Sequence, residues 1–331
     1  MQRNAYFDNA RLVLIFLVVF GHMIQPFING STAVNTFYMW VYTFHMPAFI
    51  FLSGFFAKGS GSLAYVGRLA RRLLIPYLIF QVIYTIFYIY VGQMSVPTDL
   101  FYPRWSLWFL LSLFCWHLLL IIFKRFPPLI SLALALQLGV IVGYFSEVGH
   151  TYSLSRTIVF FPFFLAGYWV TKEHLRLLKH SYVKMATILI MGVIAVAIYI
   201  APEFNSGWLL ASKSYDVLGL PKHGGFARLL VYLTSAFMAA SFLAWIPRRR
   251  FIWTTLGERT LYVYLLHGFI IQYFRINEFF QLQTMFDFIG LAVLSALIVL
   301  VLASRPIITL SQPLIEGRAT ALKRFVQRKE V

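Results

Sequence analysis

The amino-acid sequence predicts an all-α, polytopic integral membrane protein with about ten transmembrane helices. Hydrophobic residues make up 60% of its 331 residues and charged residues only 12%, which is not the composition of a soluble domain. Apolar runs of about twenty residues, the length that a helix needs to cross a bilayer, recur along the chain with short breaks between them. The sequence therefore predicts one transmembrane domain over 1–331, with a membrane core at about 8–310 and a basic cytoplasmic tail at 311–331.

The predicted spans follow one another with short connections. They cover 8–28, 37–57, 73–93, 106–123, 129–145, 157–171, 185–201, 226–246, a ninth span that contains 261–268, and 286–303. A basic segment from Lys172 to Lys184 is long enough for a helix at the membrane surface. The longest outer connection runs from Pro202 to Gly225.

The distribution of charge predicts the orientation of these spans. If the N-terminus is cytoplasmic, the inner segments hold 22 of the 28 Lys and Arg residues and five acids, whereas the outer segments hold six bases and six acids. The positive-inside rule therefore favours cytoplasmic N- and C-termini. Because topology and anionic lipid head groups account for the net charge of +17, nucleic acid is not a predicted partner, and the lipid bilayer is.

Cysteine usage and the N-terminal run exclude other classes. The single cysteine, Cys115, lies in an apolar run, so the sequence predicts no disulfide framework and no cysteine metal cluster, and no metal cofactor is predicted. The first apolar run lacks a small-residue cleavage site and contains Arg11 and His22. We therefore predict a retained helix rather than a signal peptide.

The first span carries three polar side chains on one face. Eleven positions separate Arg11 from His22, so on a helix they lie within roughly 20° of each other and about 16 Å apart along the axis. Asp8 precedes Arg11 by three residues and joins the same face. Ionisable groups in a transmembrane helix are functional candidates by default, although His22 could also be a packing histidine that is hydrogen-bonded to a neighbouring helix.

The second span carries His45 at a depth similar to that of His22. The two spans are antiparallel, and both histidines are about equally far from the loop that joins them. Pro47 removes a backbone hydrogen bond at this level, so a kink is predicted there.

Three arginines precede the third span. Arg68, Arg71 and Arg72 are spaced so that they crowd one side of a short helix. They are either a positive-inside anchor or a clamp for the phosphates of a nucleotide-bearing donor, since guanidinium groups bind phosphate oxygens bidentately.

Four further residues are candidate substrate contacts. They are Trp108, Glu147, Trp208 and His267. Three of them also have a plain structural interpretation: Trp108 suits the interfacial aromatic belt, Glu147 suits a solvated surface carboxylate, and the Trp208 loop needs no ligand.

In the first predicted span, Arg11 and His22 are separated by ten residues. This spacing resembles the Arg-x10-His signature of the membrane acyltransferase-3 family, whose members O-acylate carbohydrates. Later stretches are similar to that family in the same order. These stretches are Phe49 to Phe56, Arg68-x-x-Arg71, 107–110, 163–168, and 256–262 continuing to His267. Within the family the chain most resembles the compact fucose-4-O-acetylase-like branch, which lacks a fused extracellular esterase-like domain.

The resemblance implies transfer of an acyl group, usually acetyl from cytosolic acetyl-CoA, to a carbohydrate hydroxyl at a bacterial cytoplasmic membrane. It implies that His22 is catalytic, either as the general base or as the group that accepts the acyl. The sequence leaves open the identity of the sugar, acetyl against another acyl group, and the side of the membrane on which the acceptor is modified.

The resemblance also implies supporting roles. Arg11, oriented by Asp8, joins the arginines of the first cytoplasmic loop in a basic mouth that would hold the phosphates of acetyl-CoA. His45 would orient either His22 or the acceptor.

Other classes of function compete with this interpretation. A transporter or flippase of a glycan or lipid-linked sugar would also place Arg and His within the membrane and break its helices. An intramembrane protease has little support, because Ser53-Gly54 lacks the preceding residues of a nucleophile motif and no paired intramembrane aspartates occur.

Overall fold

The computed structural model describes residues 4–57, 59, 61–93, 102–148, 151–201 and 204–317, and within these ranges the regular structure is entirely helical. The α-helices are α1 (Ala5–Ile24), α2 (Thr32–Tyr42), α3 (His45–Phe55), α4 (Leu63–Tyr90), α5 (Trp108–Phe123), α6 (Pro128–Ile141), α7 (Leu154–Trp169), α8 (Lys172–Leu177), α9 (Ser181–Ile200), α10 (Gly207–Leu210), α11 (Gly224–Trp245), α12 (Thr260–Ile276), α13 (Met285–Leu302) and α14 (Arg305–Glu316). Short 3₁₀ segments include Gln25–Phe27, Trp105–Leu107 and Ile252–Arg259.

Six helical segments are long and apolar enough to cross a membrane. They are Ala5–Phe27, Leu63–Tyr90, Trp105–Phe123, Ser181–Ile200, Gly224–Trp245 and Met285–Leu302. Each overlaps a predicted span, which confirms the prediction of an all-α polytopic membrane protein. The predicted total of about ten spans stays a prediction, because the remaining apolar helices are shorter.

The second predicted span is two helices rather than one. Helix α2 ends at Tyr42 and α3 begins at His45, with Thr43 and Phe44 between them. Pro47 lacks an amide N–H and its ring clashes with the carbonyl four residues earlier, which is that of Thr43. The expected kink is therefore a full interruption, and it sets His45 at the first position of α3.

Helix α4 is longer than the third predicted span. It begins at Leu63 and continues to Tyr90, so the three arginines at 68, 71 and 72 lie in its first turns rather than on a separate short helix. All three are exposed. The same helix continues to Tyr84, whose side chain is fully buried.

The Arg11 end of α1 is fixed to the chain between α11 and α12. The Asn9 side-chain amide donates to the carbonyls of Pro247 and Arg249, each at 2.9 Å, and Thr254 Oγ1 donates to Asn9 Oδ1 at 2.7 Å. Gly257 packs directly on the backbone of Asp8, where a Cβ atom would overlap the Asp8 carbonyl. Only glycine permits this approach.

The last described helix, α14, covers the beginning of the segment that was predicted as a tail. The Tyr262 hydroxyl donates to Glu316 Oε1 at 2.6 Å, so the end of α14 contacts α12. The predicted basic tail beyond Gly317 lies outside the described residues, as do Lys58 and Glu203.

Candidate active site

Two histidines from distant parts of the chain face each other at the centre of the candidate site. The ring of His22, in the last turn of α1, lies 5.8 Å from the ring of His267 in α12, measured between centroids. His267 is fully buried. The structure therefore brings together a residue predicted to be catalytic and one predicted to contact substrate.

Both imidazoles have a buried nitrogen without a partner. His267 Nδ1 lies 3.0 Å from the carbonyl oxygen of Val263, and since a carbonyl can only accept, Nδ1 carries the proton. Nε2 of His267 is then a lone-pair acceptor, and among the described residues it has no hydrogen-bond partner; the same holds for Nδ1 of His22. Buried polar atoms are ordinarily paired, so two orphaned nitrogens on facing rings indicate a site for a polar ligand.

Trp105 contacts both histidines. Its ring centroid lies 4.7 Å from that of His22 and 4.9 Å from that of His267. The backbone φ of Trp105 is +47°, in the left-handed region that a bulky aromatic residue rarely adopts. Strain of this kind persists only where surrounding contacts enforce it, and it clusters at functional sites.

Helices α4 and α12 hold Trp105 in this conformation. The Tyr264 hydroxyl donates to the carbonyl of Ser106 at 2.5 Å, and the Tyr84 hydroxyl donates to that of Leu265 at 3.1 Å. Gly268 lies against Trp105 and Tyr84 so closely that a Cβ atom would overlap both side chains. Glycine is therefore required beside His267.

His45 belongs to the same region and is linked to α1 by a tyrosine. Its Nδ1 lies 3.0 Å from the Val41 carbonyl, which leaves Nε2 as the acceptor nitrogen. The Tyr42 ring lies 4.3 Å from the His45 ring, and a Cβ on Gly21, next to His22, would lie 2.9 Å from Tyr42 Cε2. Tyr42 thus separates His45 from the His22 end of α1.

Arg275, near the end of α12, binds the end of α1. Its Nη2 donates to the backbone carbonyl of His22 and to Gln25 Oε1, the latter at 2.8 Å. Its Nε is buried and has no partner among the described residues. Arg275 also lines a cleft of about 500 Å³ that opens between the chain after α1 and the chain after α12.

Arg11 and Asp8 lie at the opposite end of α1 from the histidine pair. Arg11 Nη1 is 3.4 Å from Asp8 Oδ1, and the guanidinium lies over the Phe56 ring at 4.6 Å. His22 follows Arg11 by eleven positions of helix, or about 16 Å along the axis. The ion pair expected from the spacing is present, and the roles of the two residues in catalysis stay predictions.

No described contact joins the arginine cluster of α4 or the remaining candidates directly to the histidine pair. Arg72 precedes Tyr84 by twelve residues, which is about 18 Å along the helix. Glu147 is exposed in a 3₁₀ turn. The Trp108 ring lies 5.0 Å from the guanidinium carbon of Arg156. Trp208 is 3% exposed, and its ring stacks on that of Tyr215. The guanidinium carbon of Arg228 lies 5.4 Å from the Trp208 ring centroid, and Arg228 Nη1 donates to the Trp208 carbonyl at 2.7 Å.

Sequence reasoning does not identify Trp105 or Arg275 as site residues. In the sequence, Arg275 is an arginine at the end of an apolar run, which is common at the end of a transmembrane helix. The residues around Trp105 do not predict its positive φ. Within the described ranges, no group of three or more His, Cys, Asp or Glu side chains is arranged to hold a metal ion.

Comparison with known proteins identifies a family for this helical arrangement. The family model that matches is described as an acyltransferase domain, Acyl_transf_3, and it covers residues 4–305. The match includes both helices of the histidine pair, the arginines of α4 and the cleft beside Arg275. No solved structure matches the chain.

Two curated relatives carry the same name, Nodulation protein NolL. The relative from Sinorhizobium fredii is 26% identical over an alignment of 318 positions, which covers 86% of this chain and 82% of the relative. The relative from Mesorhizobium japonicum is 22% identical over an alignment of 335 positions, which covers 91% of this chain and 86% of the relative. Both alignments extend over most of each protein.

Proposed function

Because the chain belongs to the acyltransferase 3 family and is a membrane acyltransferase, we propose that it transfers acetyl from acetyl-CoA to a hydroxyl of a cell-surface or lipid-linked carbohydrate. The observation that carries this proposal is the pair of orphaned imidazole nitrogens on His22 and His267. An acyl transfer to a hydroxyl needs a buried base beside the acceptor oxygen, and this pair supplies one.

We assign proton transfer to His22. The acceptor hydroxyl gives its proton to the free nitrogen of His22 while its oxygen attacks the thioester carbonyl. The C–O bond forms, the C–S bond breaks, and the proton passes from His22 to the departing sulfur. A direct acyl-His22 intermediate would use the same nitrogen as the nucleophile.

His267 has a different part in this proposal. Because its Nδ1–H is committed to the Val263 carbonyl, His267 can only accept at Nε2. A sugar presents neighbouring hydroxyls, so while one gives its proton to His22, the next one donates a hydrogen bond to His267. Trp105, in contact with both rings, covers the pair and limits the access of water.

The arginines of α4 suit the phosphates of the donor. Arg68, Arg71 and Arg72 are exposed and adjacent, and guanidinium groups bind phosphate oxygens strongly. They lie about 18–24 Å along α4 from Tyr84, which touches the histidine site, so a donor bound by its phosphates must extend a long arm toward His22. The charge distribution of the sequence supports a cytosolic location for these arginines. A bacterial cell membrane as the location of the protein is what the family resemblance implies.

The interrupted helix at Thr43 and Phe44 is a feature that transporters share, and it favours a flippase as the second candidate. Transport alone gives no reason for a match to an acyltransferase model over 4–305. Incorporation of labelled acetyl into carbohydrate separates the two candidates, since a flippase without enzymatic activity produces none.

The test is His22→Ala in purified protein, with labelled acetyl-CoA and surface oligosaccharide from which O-acetyl groups have been removed. We expect the rate of acetyl transfer to fall by roughly 100-fold or more, the usual contribution of a general base. The matched control is His223→Ala, an exposed histidine before α11, which should transfer acetyl at the wild-type rate. Wild-type transfer by a folded His22→Ala protein would overturn the assignment.

A further inference from the structure

A cleft of about 500 Å³ lies beside the His22 end of α1 and carries both polar and aromatic side chains. It is formed by the last turn of α1 and the chain after it, and by the last turns of α12 and the chain after that. The lining side chains that matter here are Phe27, Phe274, Arg275, Glu278, Phe280 and Gln281. Its size falls in the usual range for sites of small organic ligands.

We propose that this cleft binds the acceptor, and that the unit bound there is an uncharged sugar. The proposal rests on the function proposed above and adds the location and chemical class of the acceptor. Aromatic faces can pack on the apolar side of a sugar ring, while guanidinium, carboxylate and amide groups bond to its hydroxyls.

The charges of the lining favour a neutral ligand. Arg275 and Glu278 carry opposite charges and Gln281 carries none, so these three groups sum to zero. Sugar hydroxyls both donate and accept, which matches a guanidinium that only donates, a carboxylate that only accepts and an amide that does both. An acidic sugar would face the Glu278 carboxylate, and an apolar ligand would leave both charges desolvated without partners.

Arg275 connects the cleft to the reacting centre. The same guanidinium that lines the cleft holds the backbone carbonyl of His22, and its Nε has no partner among the described residues. Ile271, also in the lining, follows His267 by one helical turn, or about 6 Å of rise. A sugar in the cleft is therefore one turn from the histidine pair, which is close enough for one of its hydroxyls to reach it.

The backbone of Glu278 gives independent support. Helix α12 ends at Ile276, and Glu278 takes a φ of +49° two residues later, at a position where glycine is strongly preferred. A glutamate there keeps its side chain at a cost in backbone energy, and such cost is typical of functional positions. The carboxylate is therefore retained for something other than the stability of the turn.

The decisive variant is Glu278→Gly, which relieves the backbone and removes the carboxylate. We expect the KM for the de-O-acetylated surface oligosaccharide to rise about tenfold, as for the loss of a hydrogen bond to a charged group. We expect the KM for acetyl-CoA to remain within about twofold of wild type, and Tm to stay equal or rise. If Glu278 served only the stability of the fold, Glu278→Gly would not raise the KM for the oligosaccharide while leaving the KM for acetyl-CoA unchanged.

A second variant and a neighbouring control complete the experiment. Gln281→Ala should raise the same oligosaccharide KM, whereas Asn277→Ala, whose side chain is exposed and bonds to the Tyr273 carbonyl, should change neither KM. An unchanged oligosaccharide KM in both cleft variants overturns the proposal while acyl transfer itself stands. A lower KM in Glu278→Gln would show that the bound unit is acidic and would overturn the assignment of a neutral sugar. If wild-type protein transfers no acetyl to any oligosaccharide, the proposed function fails, and the cleft assignment fails with it.

Discussion

The substitution Gly268→Ala tests whether the strained position of Trp105 is needed for catalysis. A methyl group on residue 268 would lie more than about 1 Å inside the 3.4 Å limit of ordinary contact with both Trp105 and Tyr84. Both neighbours are held by other contacts, since the turn that contains Trp105 is bonded to α12 and the Tyr84 hydroxyl is bonded to the Leu265 carbonyl. Relief therefore requires Trp105, or His267 itself, to move by about that amount.

The size of the expected effect follows from this overlap. Overpacking of a closely packed interior typically costs about 1–3 kcal/mol of stability. A displacement of about 1 Å at a reacting centre can reduce the rate about 100-fold. We therefore expect Gly268→Ala to lower kcat for acetyl transfer by roughly that factor, with a modest decrease in Tm and little change in the KM for acetyl-CoA.

The assay compares kcat, both KM values and Tm for Gly268→Ala and for Gly290→Ala. Gly290 is a helical glycine in α13, where an added Cβ would meet nothing within 4 Å, so its substitution should leave kcat and both KM values unchanged and should leave Tm equal or slightly raised. A Gly268→Ala protein with wild-type kcat would refute the reasoning, because it would show that Trp105 can move without consequence for the reaction. Equal losses in the two variants would show a general sensitivity of the bundle to helix substitutions.

Two further predictions concern Gly257, which packs on the start of α1, and the arginines of α4. Gly257→Ala should lower Tm strongly or prevent folding, because the added methyl would overlap the backbone carbonyl of Asp8, which cannot rotate away. Thermal unfolding measures this effect. The control is Gly192→Ala on α9, where an added Cβ would meet nothing within 4 Å. Replacement of Arg68 and Arg71 by Ala should raise the KM for acetyl-CoA by about tenfold or more, because it removes guanidinium groups that bind the phosphates of the donor. The KM for the oligosaccharide should stay unchanged. An unchanged KM for acetyl-CoA would count against a phosphate clamp.

The polar face of α1 could be predicted because it depends on helix geometry alone. The spacing of Asp8, Arg11 and His22 fixes their common face and their separation along the axis, and no tertiary contact changes either. The break before Pro47 could be predicted for a similar reason, since the missing N–H and the steric clash belong to the proline itself. What the sequence did not reveal is that the break ends one helix and begins another.

The surroundings of His22 could not be predicted, because each of its neighbours comes from elsewhere in the chain. Trp105 adopts a positive φ only because α4 and α12 constrain the turn, and no local pattern at Trp105 indicates such a conformation. Arg275 follows His22 by 253 residues, and its bond to the His22 carbonyl depends on how α1 and α12 pack. Gly257 and Gly268 permit close packing on distant parts of the chain, and the sequence alone does not indicate that either position requires glycine.

Helix α1 is fixed at both ends by residues that are synthesised much later. Asn9 near its start bonds to the carbonyls of Pro247 and Arg249, and the His22 carbonyl near its finish is bound by Arg275. During biogenesis, the first helix enters the membrane long before any of these partners leaves the ribosome, and it must wait there without them. The order of insertion thus makes completion of the candidate active site one of the last events of assembly, so we expect acyl transfer to begin only when nearly the whole bundle has formed.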